Sequence, residues 1–82
     1  MLNDYLQAAA RHATYEILED DGDFFGEIPP CQGVHATGPT LEACRQELLS
    51  TLEDWVLFRI HRHLPLPVID GLELTVKAEA AS

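Results

Sequence analysis

Basic residues are scarce in this chain. Five Lys and Arg stand against fourteen Asp and Glu, a formal net charge of −9 over 82 residues. Phosphate backbones are held by Lys and Arg, so direct nucleic-acid binding is excluded as the chain's business. An acidic surface instead serves solvation, or steers the chain toward a basic partner. Cysteine is nearly as rare: Cys31 and Cys44 form neither a disulfide framework nor zinc-type spacing. Long apolar runs are missing too, so no membrane association is expected. The opening MLNDYLQAAARH carries Asp4 early and no basic leader, which points to a cytoplasmic chain. Serine occurs only at Ser50 and Ser82, neither in the sharp turn or helix-start loop that a nucleophile needs.

What is present is one long amphipathic stretch, Thr40–His63. Leu41, Cys44, Leu48, Leu52, Trp55 and Val56 recur at a 3.6-residue period, while Glu42, Gln46, Glu47, Ser50, Glu53 and Asp54 fall away from that stripe. Thr40 suits an N-cap, Glu42 suits the positive end of the helix dipole, and Pro65 marks the limit. Such a helix is roughly 34 Å long. Before it, Leu2–His12 reads as a short helix. Thr14–Glu19, Phe24–Ile28 and Gly33–Thr37 read as three strands, the first two joined at Asp20-Asp21-Gly22-Asp23. Gly26 leaves room for a close neighbour, and Pro29-Pro30 ends the second strand. After the helix, Leu64–Pro67 reads as an extended linker, Asp70-Gly71 as a turn, and Leu72–Val76 as a half-buried fourth strand.

Three antiparallel strands, a returning helix and a strand parallel to the first give an α-β-β-β-α-β, two-layer α+β domain. A right-handed crossover predicts the sheet order 3-2-1-4. Residues 1–12 form an N-terminal helical extension, 13–76 the domain and 77–82 a tail. The second sheet face is left for the N-terminal helix, a second subunit or water to cover. A domain this small buries only about 60% of its unfolded surface, so association with a second copy is expected.

Candidate chemistry is thin. His12, His35, His61 and His63, with the two cysteines, are the only nitrogen and sulfur ligands. His61 and His63 diverge on a helix, and Cys31 with His35 lacks a second pair, so no metal or other cofactor is expected. Glu16, Glu27 and Glu53 are the carboxylates a two-metal nuclease would need to converge. Spacing alone does not bring them together, and a non-enzymatic chain is expected. The long helix does become apolar nearly all round at Val56, Leu57, Phe58 and Ile60. Either Leu64 and Leu66 fold back over that end, or another subunit covers it. Arg59 sits one turn after Trp55, placed to stack on the indole or to lay its stem along apolar surface. Cys44 lies on the apolar stripe as a small hydrophobe, and Cys31 sits in a loop, where it could be exposed.

The order Asp21-Gly22-Asp23-Phe24-Phe25-Gly26-Glu27-Ile28-Pro29, then Gly33-Val34, then Thr37-Gly38-Pro39-Thr40-Leu41-Glu42-Ala43, with Pro65 and Pro67 after the helix, resembles the HicB-like antitoxin domain. The resemblance spans about Ala13–Val76. It implies a partial ribonuclease H-like fold without nuclease activity, in a protein that forms dimers or tetramers. It also implies a partner: HicB-like antitoxins bind and block HicA toxins, small basic RNases that degrade mRNA. Members that repress their own operon carry a C-terminal DNA-binding domain, whereas only six residues follow Val76 here, so no autoregulation by this chain is expected.

The expected role is therefore a non-enzymatic antitoxin-like module that occludes a basic toxin through Glu19, Asp20, Asp21 and Asp23. The rival is a stand-alone homo-oligomeric scaffold with no cognate toxin. The expected oligomer surface is Trp55, Leu57, Phe58, Leu64, Leu66, Leu72 and Leu74.

Overall fold

The computed structural model describes residues 2–20 and 22–74. Helix α1 (Leu2–Arg11) leads into strands β1 (Thr14–Ile17), β2 (Phe24–Glu27) and β3 (His35–Gly38), followed by helix α2 (Leu41–His61). The strands form one antiparallel meander in the order β1-β2-β3. Thr14 faces Glu27 across the first pairing, and Glu27 faces His35 across the second. This is the helix, antiparallel meander and long helix of an α+β domain.

Helix α2 begins as its sequence predicts. The Thr40 hydroxyl accepts from the Ala43 amide at 3.0 Å, satisfying one of the orphan donors of the first turn. At its other end His63 takes a left-handed φ of 57°, Leu64 N–H donates to Arg59 O and His63 N–H to Ile60 O. These two bonds are the paired closure that stops a helix when the next residue reverses hand.

Cys44, Leu48, Leu52 and Val56, at the stripe's spacing, are buried to 1% exposure or less. They meet Ile28, Cys31, Val34 and Ala36 from the sheet side and Tyr5, Ala8 and Ala9 from α1. Burying each large aliphatic side chain contributes about 1.5–3 kcal/mol. Two glycines allow the layers to come this close. A Cβ on Gly38 would lie 2.7 Å from the Cys44 amide nitrogen, and one on Gly26 would lie 2.8 Å from the Tyr15 ring and 3.2 Å from Cys44 Sγ. The room that Gly26 leaves is thus filled by the Tyr15 ring and by α2.

Three expectations are corrected. Leu41, placed on the buried stripe, is 48% exposed, because α2's first residue lies beyond the end of β3. Cys31, placed in a loop where it could be exposed, is fully buried. Tight turns (Cys31 N–H to Ile28 O, Val34 N–H to Cys31 O) fold that loop inward. The fourth strand beside β1 is absent from the described residues, so the order 3-2-1-4 is not completed there. Asp70 and Gly71 both take positive φ (52° and 77°), and Ile69 and Leu72 exchange backbone hydrogen bonds of 3.1 and 2.7 Å. That is a two-residue type I′ turn, which folds Leu72 back on its own preceding segment. Thr75 and Val76, the rest of the expected strand, and the tail lie outside the described residues.

The hairpin is clasped to α1. The Tyr5 hydroxyl donates to Pro67 O. His12 Nε2 lies 2.7 Å from Asp70 Oδ1, and Arg11 lies 3.5 Å from the other oxygen of that carboxylate. The N-terminal helix therefore packs with α2 on the helical side, and no described element covers the other sheet face.

Candidate functional site

Strand alternation sets the open face. Tyr15, Gly26 and Ala36 lie in register on the side of α2, so Glu16, Phe25, Glu27, His35 and Thr37 point the other way. Phe25 and His35 stack there, ring centroids 6.0 Å apart at 27°. Glu16 is paired with Phe25 and Glu27 with His35, and both carboxylates are exposed. The acidic turn follows β1 in the chain. Leu18 N–H donates to Asp23 O at 2.7 Å and Gly22 N–H to Leu18 O at 2.9 Å, which holds Glu19 and Asp20 out in solvent with Asp23 half-buried beside them. Gly22 has φ +74°, the conformation that its Asp-Gly context calls for. Asp21 lies outside the described residues. Beside the predicted turn, the sheet adds Glu16 and Glu27 as two more exposed carboxylates on one face, which spacing did not single out.

The carboxylates considered for a nuclease do not converge. Glu16 and Glu27 lie on the open sheet face, whereas Glu53 lines a groove between the two helices. That groove holds about 640 Å³ and is also lined by Leu6, Arg11, Tyr15, Arg45 and Leu49. Two of the chain's few cations border it, which no sequence motif signalled. Arg11 already faces Asp70, and Arg45 lies 3.9 Å from Glu42. No cluster of three His, Cys, Asp or Glu suited to a metal occurs among the described residues. Burial pushes the thiol pKa of both Cys31 and Cys44 up, which keeps them protonated and poorly nucleophilic.

The apolar end of α2 divides into two. Trp55, Leu66 and Leu74 pack against the core, half-buried, with the Arg59 guanidinium 4.9 Å over the Trp55 ring and its Nε donating to Pro65 O at 2.8 Å. Leu57 and Phe58 stay 46% and 53% exposed, so Leu64 and Leu66 do not fold over them. Leu64 and Leu72 are exposed as well, and so is Val68, which periodicity did not single out. Arg62 lies over the Phe58 ring at 5.4 Å and leaves most of it uncovered.

Fold and surfaces together define a small α+β protein: a three-stranded antiparallel sheet backed on one side by helices, acidic on the other. The chain belongs to the UPF0150-like family, whose pattern matches residues 4–67. It is similar in structure to TTHA0281 from Thermus thermophilus, at 36% sequence identity and a TM-score of 0.84, over 93% of this chain and 94% of that one. No curated protein matches it.

Proposed function

We propose that this chain is a non-enzymatic, antitoxin-type binding protein of the HicB-like kind, which neutralises a small basic mRNA-degrading toxin by covering it. The observation that carries this reading is the acidic surface. Glu19 and Asp20 of the turn and the sheet residues Glu16 and Glu27 are exposed on a chain whose net charge is −9. A field of one sign speeds encounter with an opposite partner and disfavours nucleic acid itself. Membership of the UPF0150-like family is consistent with a toxin–antitoxin-like small protein. The chain acts in the cytoplasm, where such a toxin meets mRNA. No described helix is long and apolar enough to cross a membrane.

The test is co-expression with the small basic reading frame adjacent to the gene. Growth arrest by that frame alone, relieved by this chain and accompanied by co-purification, is the expected result. Reversing Glu19, Asp20 and Asp23 to lysine together should abolish the rescue while leaving the fold intact. No basic partner, or a partner that ignores the chain, would refute the proposal.

A second reading rests on a different observation. Leu57, Phe58, Leu64, Val68 and Leu72 leave apolar surface exposed at the C-terminal half of α2 and on the hairpin. Surface of that kind suits a homo-oligomeric scaffold with no toxin partner. Sedimentation as a monomer at high concentration would dispose of it.

A further inference from the structure

Arg11 and Arg45 have carboxylate partners, Asp70 and Glu42, whereas Arg59 and Arg62 have none among the described residues. Arg62 is exposed, but Arg59 is half-buried. A half-buried charge has given up part of its hydration, and here no anion compensates it. The guanidinium is also held still. It lies over the Trp55 ring at 4.9 Å, and its Nε donates to Pro65 O at 2.8 Å. Nη1 and Nη2 remain as a pair of donors with no acceptor among the described residues. The charge reaches inward as well: burial pushes the Tyr5 phenol and the Cys31 thiol up, and Arg59 pulls both down.

These donors border a pocket of about 480 Å³ in which three segments meet. Trp55 and Arg59 come from α2, Pro29 and Pro30 from the β2–β3 connection, and Pro65 and Pro67 from the chain after α2. Each wall is anchored. Cys31 N–H donates to Ile28 O across Pro29 and Pro30, Arg59 donates to Pro65 O, and the Tyr5 hydroxyl donates to Pro67 O. Proline has no N–H to offer. Apart from Arg59, the exposed Gln32 and the indole N–H, the lining is therefore apolar. No carboxylate belongs to it, in a chain with fourteen acids.

We propose that this pocket binds a small aromatic monocarboxylate. Arg59 Nη1 and Nη2 hold the two carboxylate oxygens, and the ligand's ring lies along Trp55 and the prolines. A guanidinium fork matches a carboxylate in spacing and in plane. The volume falls within the roughly 300–1,000 Å³ of small-molecule sites. Stiff proline and tryptophan walls lose little freedom on binding, so a single ion pair suffices to fix the ligand. The net charge of −9 selects against a dianion, which would meet one cation here and twice the repulsion of the whole chain. The wider groove between α1 and α2 suits an anion less, because Glu53 lines it and its arginines are already partnered. The pocket shares no residue with the acidic surface, and the proposal does not rest on the toxin-blocking reading.

Nuclear magnetic resonance of the full chain tests it, with sodium benzoate as the probe. Trp55 is the only tryptophan, so its indole N–H signal is identified at once. Benzoate should shift that signal and the Arg59 Nε–H signal saturably. Benzamide keeps the ring and loses the charge, while acetate keeps the charge and loses the ring. Each should bind at least about tenfold more weakly than benzoate. Arg59→Gln should weaken benzoate at least about tenfold, and Arg59→Lys, a charge without the fork, should recover only part of that loss. The ligand series on the unaltered chain decides the matter even where loss of the bond to Pro65 unfolds the variants. The proposal is overturned by the absence of a saturable shift at Trp55, or by benzamide or inorganic phosphate binding as tightly as benzoate. Unchanged benzoate affinity in folded Arg59→Gln, or shifts confined to the groove of Arg11 and Arg45, would overturn it equally.

Discussion

Replacing Gly38 by alanine tests the contact on which this fold depends. Gly38 ends β3 beneath the first turn of α2. A Cβ built there meets Cys44 N at 2.7 Å, Cys44 Cα at 3.0 Å and the Ala43 carbonyl carbon at 3.1 Å. All three are main-chain atoms, so no side chain can rotate aside. Gly38 does not hold a positive φ, so alanine is free to adopt its conformation and the substitution probes contact alone. Restoring ordinary contact requires the start of α2 to retreat about 0.7 Å, from 2.7 to the 3.4 Å where normal packing begins. Overpacking of this kind costs about 1–3 kcal/mol, and rigid backbone puts it near the upper end. Alanine recovers about 0.4–1 kcal/mol by restricting the unfolded chain. The net loss is about 2 kcal/mol, which for a domain of this size lowers Tm by about 8–16 °C. Thermal melts followed by circular dichroism read it, with exposed Leu57→Ala as a control that should move little. An unchanged or raised Tm for Gly38→Ala would refute the close seating of α2 on β3.

Two further perturbations are smaller. Thr40→Ala removes the acceptor of the Ala43 amide and should cost about 1 kcal/mol, with Thr40→Ser restoring most of it; urea melts of the three proteins decide this. Burial, with a smaller contribution from Cys31, pushes the Tyr5 phenol up from 10.0 to about 12. A raised folded value means that the protonated phenol is the stabilising form. Its contribution is complete below pH 10 and is lost as pH rises from there through about 12. Tyr5→Phe should flatten that alkaline loss in denaturant melts, and a loss of equal steepness in the variant would assign it to other groups.

How far the fold was legible depended on whether one segment's pattern sufficed. Helix α2 was legible because its period, the Thr40 cap and the limit before Pro65 all act locally. The β1–β2 turn was legible for the same reason, through the Asp-Gly signal near Gly22. The fourth strand does not form beside β1 among the described residues, because the alternation of Leu72, Glu73 and Leu74 states a half-buried strand and not its neighbour. Asp70-Gly71 held the answer: two positive φ values make a hairpin with the segment just before it. Cys31 was misjudged because a loop's burial depends on where its turns send it, and no period reports that. The acidic face was half legible. Glu19, Asp20 and Asp23 fall within five residues of sequence, whereas Glu16 and Glu27 come to one face only through sheet register.

A toxin-blocking role makes its plainest statement in a reconstituted RNA cleavage reaction. The proposed toxin, sought as a small basic protein encoded beside this chain, is supplied with mRNA, and the purified acidic chain is titrated in. Cleavage should fall to background at stoichiometric addition and return when Glu19, Asp20 and Asp23 are reversed to lysine. Cleavage undiminished at large excess, or RNA cut by this chain alone, would contradict the account.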